Sequence, residues 1–80
     1  MKEQQKIEIW VDGRVRCRTS ADNIELAGLY FRDHKFDAKK AAQALAHDDG
    51  ANEHTVYEWF AIVYEAKARL ERDLDFRGVR

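Results

Sequence analysis

The sequence predicts an α+β domain in the order ββααα: an N-terminal two-stranded antiparallel hairpin followed by three helices, the last one long. Three observations carry this expectation. Residues 7–19 alternate apolar and charged around an Asp-Gly pair. Three later stretches place apolar residues three and four apart. Ser, Asp or Asn stands where each of those stretches begins.

In the hairpin, Ile7, Ile9, Val15, Cys17 and Thr19 occupy odd positions, with Glu8, Arg14, Arg16 and Arg18 between them. A two-residue Asp12-Gly13 turn would pair Ile9 with Arg16 and Ile7 with Arg18. A three-residue loop, Val11-Asp12-Gly13, pairs Ile9 with Val15 and Ile7 with Cys17. Only the second gives an amphipathic sheet, because a shift of one residue turns every side chain over, so the three-residue loop is the expectation.

Thr19 or Ser20 caps the first helix, whose apolar stripe is Ile24, Ala27, Tyr30 and Phe31, with Leu26 and Leu29 beside it. Gly28 in its middle points to close contact with the hairpin or another helix. The helix should stop by Asp33-His34-Lys35. Asp37 caps a second helix, Ala38 to Ala46, with Ala41, Ala42 and Leu45 inward. Its alanines give high propensity and little bulk, so its neighbours must come close. Asn52 is the expected cap of the last helix, which runs to about Asp75. Its seam is Val56, Trp59, Phe60, Val63, Ala66, Leu70 and Leu74, and its outer side carries Glu65–Arg69, Lys67–Glu71 and Arg69–Asp73 at i,i+4.

Eighty residues make one domain, 1–80, which hides only roughly 60–65% of its extended surface. With 45% hydrophobic and 11% aromatic residues and no proline, the chain is too apolar for disorder. Cys17, the only cysteine, excludes an intramolecular disulfide framework and reads as a small hydrophobe on a strand face. No secretory apolar region and no apolar run of about 18 residues is present, so a reduced, cytoplasmic setting away from membranes is expected.

No Gly-rich phosphate loop and no nucleophile motif occurs, which argues against an enzyme and for no cofactor. His47, Asp48, Asp49, Glu53, His54 and Glu58 are close in sequence, and two histidines with a carboxylate can hold Zn²⁺. Their spacing matches no metal motif, and acids are expected at a helix start, where they meet the positive end of the dipole. The expectation is therefore no metal.

Two surfaces stand out. Between positions 56 and 64 the last helix is apolar nearly all round, which places Tyr57, Trp59, Phe60, Ile62 and Tyr64 at an interface with a partner protein or a second copy, as a homodimer. The expected hairpin register gathers Lys6, Glu8, Trp10, Arg14, Arg16 and Arg18 on one face. That face can be plain solvated charge, can dock on an acidic protein, or can meet phosphates as a β-ribbon does. Nucleic acid is the weaker choice, because net charge is −1 and Glu8 sits among the arginines. An acidic patch, Asp48, Asp49, Glu53 and Glu58, balances the chain in residues 41–60.

No stretch carries a family motif. As one small domain with mixed-charge surfaces and no catalytic constellation, the chain is similar in type to compact regulators and inhibitors of phages and mobile elements, such as anti-restriction and anti-CRISPR proteins. The resemblance implies a non-enzymatic inhibitor or adaptor working by protein–protein contact, with a nucleic-acid-binding regulator as the alternative.

Overall fold

The structure, a computed structural model, describes the backbone of residues 6–78 and the side chains of residues 6–72. The elements are β1 (Ile7–Val11), β2 (Arg14–Thr19), α1 (Ala21–Asp33), α2 (Ala38–Asp48) and α3 (Val56–Gly78). This is the expected ββααα order with the last helix longest.

The hairpin corrects the expected loop. Asp12 and Gly13 form a two-residue turn with φ of 54° and 77°, left-handed values whose twist matches that of the strands. Val11 pairs with Arg14 and Trp10 with Val15; the register then shifts, so that Ile9 pairs with Cys17, Glu8 with Arg18 and Ile7 with Thr19. Arg16 is the extra residue of a β-bulge. The pairing of inward residues with inward residues is thus kept for Ile7 and Ile9, but an inserted residue in the strand achieves it instead of a longer loop.

Ser20 caps α1, its Oγ accepting from the Asn23 N–H at 3.3 Å. Ile24, Ala27 and Phe31 are buried, while Leu26 and Leu29 are exposed. After α1, Lys35 and Phe36 both adopt left-handed φ, 60° and 64°. The Phe36 N–H donates to the Phe31 carbonyl at 2.8 Å, and the two rings meet edge to face at 5.4 Å. Asp37 caps α2 through the Lys40 N–H at 3.1 Å, and the helix runs two residues past the expected Ala46. Ala41, Ala42 and Leu45 point inward, so the short side chains of α2 lie against both α1 and α3.

The start of α3 is a second correction. Thr55, not Asn52, is the cap: its Oγ1 accepts from the Glu58 N–H at 3.1 Å, and Glu58 Oε1 accepts from the Thr55 N–H at 3.1 Å. These reciprocal bonds form a capping box, in which two orphan N–H groups of the helix end are satisfied together. Asn52 lies upstream with a left-handed φ of 51°.

Trp59, Ala61, Ile62, Val63 and Ala66 join Ile9, Ile24, Ala27, Phe31, Ala41, Ala42 and Leu45 in the core. Val56, Phe60 and Leu70 pack against its edge. Glu65 holds Arg69 at 2.8 Å, and Lys67 stands 4.0 Å from Glu71. The side chains of Asp73 and Leu74, both part of the expected pattern, lie outside the described residues. Among the described residues no helix is long and apolar enough to cross a membrane.

Candidate protein-binding face

The aromatic half of α3 divides by helical geometry. Trp59 and Ile62, expected at an interface, are core residues, 2% and 0% exposed. Tyr57, Phe60 and Tyr64 follow one another at i+3 and i+4, which puts them on one stripe. Tyr57 is 82% and Tyr64 44% exposed, Phe60 is half-buried, and the Phe60 and Tyr64 rings lie 5.2 Å apart. The stripe faces the hairpin. Between them runs a groove of about 350 Å³ walled by Val11, Arg16, Tyr57, Glu58, Phe60, Ala61 and Tyr64. A second recess of about 340 Å³ shares Val11 and Tyr64 and extends past Trp10 and Asp12.

The bulge rearranges the expected basic row. Arg16 moves into the groove wall, and Val15 takes the place opposite Trp10 on the outer face. Both Trp10 and Val15 are exposed, at 56% and 42%. Glu8 closes the outer face on itself, accepting from Trp10 Nε1 at 3.3 Å and from Arg18 at 3.3 Å. Lys6 and Arg14 are exposed at the two ends of the hairpin. The row Lys6, Trp10, Arg14, Arg16, Arg18 is therefore not one continuous face.

The acidic patch is occupied with holding the fold. Asp48 accepts from the Tyr30 hydroxyl at 2.7 Å, which lowers the Asp48 carboxyl and raises the Tyr30 phenol relative to their ordinary values. Partial desolvation raises Asp49, but hydrogen bonds from the His54 N–H (3.0 Å) and Trp59 Nε1 (3.2 Å) outweigh it and leave the carboxyl lowered. Glu53 accepts from Asn23 Nδ2 at 3.2 Å. Glu58 serves the capping box and also meets His54 Nδ1 at 3.2 Å.

His54 joins this set to the end of the hairpin. Its ring, 9% exposed, meets Thr19 Oγ1 through Nε2 at 3.0 Å, and Thr19 Oγ1 accepts from Asn23 Nδ2 at 2.9 Å. One arrangement satisfies every partner: Thr19 donates to Nε2 and Nδ1–H donates to Glu58. Thr19, His54 and Glu58 thus have the order of a hydroxyl–imidazole–carboxylate relay. Thr19 has 0% exposure, however, so no substrate carbonyl reaches its oxygen. Thr19 and His54 lie 35 residues apart in the chain, and periodicity gives no sign of their contact. The Thr55-x-x-Glu58 spacing and the i,i+4 pair His54–Glu58 are the parts a sequence reading can find.

Cys17 also lies in this region, its Sγ 3.9 Å from the Glu58 carbonyl. Burial, and secondarily the Glu58 charge, push its thiol up to about 11, so it is protonated and unreactive near neutrality. Among the described residues no three His, Cys, Asp or Glu side chains converge as a metal site would require. His47 is exposed on Asp48, and both ring nitrogens of His54 are engaged.

Comparison of the chain with protein-family models, with curated proteins and with solved structures finds no match.

Proposed function

We propose that this chain is a small non-enzymatic binding protein acting through protein–protein contact, as an inhibitor or adaptor of a larger complex, with the hairpin–α3 face as its contact surface. One observation carries the reading: Trp10, Tyr57 and Tyr64 stand exposed around two recesses that share Val11 and Tyr64 at that face. Tyrosine and tryptophan are enriched at interface hot spots because they offer large, stiff contact area at low entropic cost. The acidic residues and His54, in contrast, are committed to hydrogen bonds within the domain. The single Cys17 is compatible with a reduced, cytoplasmic setting, and the type of protein fits a phage or mobile-element inhibitor of host defence.

The nucleic-acid alternative has less support. It rests on a row of arginines beside Trp10, and in this fold Arg16 leaves that row while Arg18 is paired with Glu8. The test is affinity capture from host lysate with the wild-type chain and with a Tyr57→Ala/Tyr64→Ala double variant. A partner recovered by the wild type and lost from the folded variant supports the face. A partner retained equally by both refutes it. Sedimentation of the wild type alone distinguishes a second copy from a different protein.

A further inference from the structure

The groove has an uncompensated charge at its edge. Arg16 is exposed and, among the described residues, meets no carboxylate within ion-pair distance. Glu58, the acid in the same wall, has Oε1 committed to the Thr55 N–H and to His54. Glu65, beside the second recess, is held by Arg69 at 2.8 Å and stands 3.9 Å from Arg72. The Lys67 ammonium lies 5.9 Å from the Tyr64 ring centre and is answered by Glu71 at 4.0 Å. The rest of the wall is Val11, Phe60, Ala61, Tyr57 and Tyr64.

We infer that this groove takes an acidic segment of a partner protein, seating one apolar side chain among Val11, Phe60, Ala61 and Tyr64 and setting a neighbouring carboxylate against Arg16. The inference rests on the face proposed above and adds the chemistry of its occupant. An apolar floor supplies affinity through burial. The guanidinium supplies selection, because its planar fork matches a carboxylate. A nucleic-acid strand fits less well: its run of phosphates needs several cations, and it would meet a single unpaired arginine here.

The test is selection of a random-peptide library displayed on phage against the full chain. Selected peptides are then titrated against ¹⁵N-labelled protein and against Arg16→Glu and Arg16→Lys variants. The expected peptides carry an apolar residue flanked by Asp or Glu and shift the amides of Val11, Phe60, Ala61 and Tyr64. They bind Arg16→Glu at least about tenfold more weakly and Arg16→Lys at an intermediate strength. If Arg16→Glu fails to fold, Arg16→Ala makes the same comparison. Peptides without acidic bias that still shift those amides would overturn the occupant and leave the face standing. Peptides that shift only the α1 groove around Gly28 and Leu29, or no enrichment at all, would overturn the inference, the former also removing the face. Tighter groove binding by an oligothymidylate probe would overturn it in favour of nucleic acid.

Discussion

Replacing Gly28 by alanine should stabilise the domain. Gly28 sits half-buried in the middle of α1, opposite α3. A Cβ placed there would find its nearest neighbour, Ala66 Cβ, at 3.8 Å, an ordinary van der Waals contact. The close approach expected from sequence therefore exists, yet it leaves room for a methyl group. Removing glycine's backbone freedom from a helix interior contributes about 0.5–1 kcal/mol. The methyl adds up to about 0.4 kcal/mol if the open groove beside Leu29, Ala66 and Leu70 buries half of it. Together these give about 1 kcal/mol, and for a domain of this size about 4–8 °C in Tm. Urea denaturation followed by circular dichroism, with an unchanged m-value, measures the effect. Loss of stability would show that α1 and α3 lie closer than the structure places them. Gly28→Val should gain less than Gly28→Ala, since branching at Cβ lowers helix propensity.

Three other outcomes are expected. Thr19→Val removes the acceptor of Asn23 Nδ2 and the partner of His54 Nε2. It should cost about 1–3 kcal/mol in urea unfolding, with Thr19→Ser largely restoring stability. The Cys17 thiol at about 11 should react with iodoacetamide at pH 8 roughly 100-fold more slowly than an unhindered peptide thiol; equal rates would show an accessible thiolate. Asp48 and Asp49 have lowered folded-state pKa values, so their contribution to stability is complete above the unfolded value of about 4 and is lost as pH falls through the folded values. Asp49→Asn should flatten that acid limb, read as the unfolding midpoint in urea at each pH.

Local chemistry made α1 and α2 legible. Ser20 and Asp37 announce their starts, and the inward Ala41, Ala42 and Leu45 follow from spacing alone. The hairpin was half legible. Its inner pairing had to join odd positions, but a longer loop and a bulge each add the single residue that parity demands. The preference of Asp12-Gly13 for a two-residue left-handed turn decides between them. The aromatic stretch of α3 resisted reading because an all-round apolar segment has no polar face to orient it; Trp59 and Ile62 turn inward only because α1 and α2 happen to cover that side. The partners of the acidic cluster were not legible for another reason. Its carboxylates find Tyr30, Asn23, His54 and Trp59 through tertiary contacts, and charge counted along a chain does not reveal which charges are already answered.

The bulge has a consequence in the currency of chain length. Without Arg16, β1 and β2 could form an uninterrupted ladder with the same pairs: Trp10 with Val15, Ile9 with Cys17, Glu8 with Arg18 and Ile7 with Thr19. The arginine is surplus to the sheet. A chain one residue shorter at this point should keep its register and its turn while losing the guanidinium from the groove wall. A single-codon deletion here would therefore separate what the hairpin needs in order to fold from what it presents to the outside.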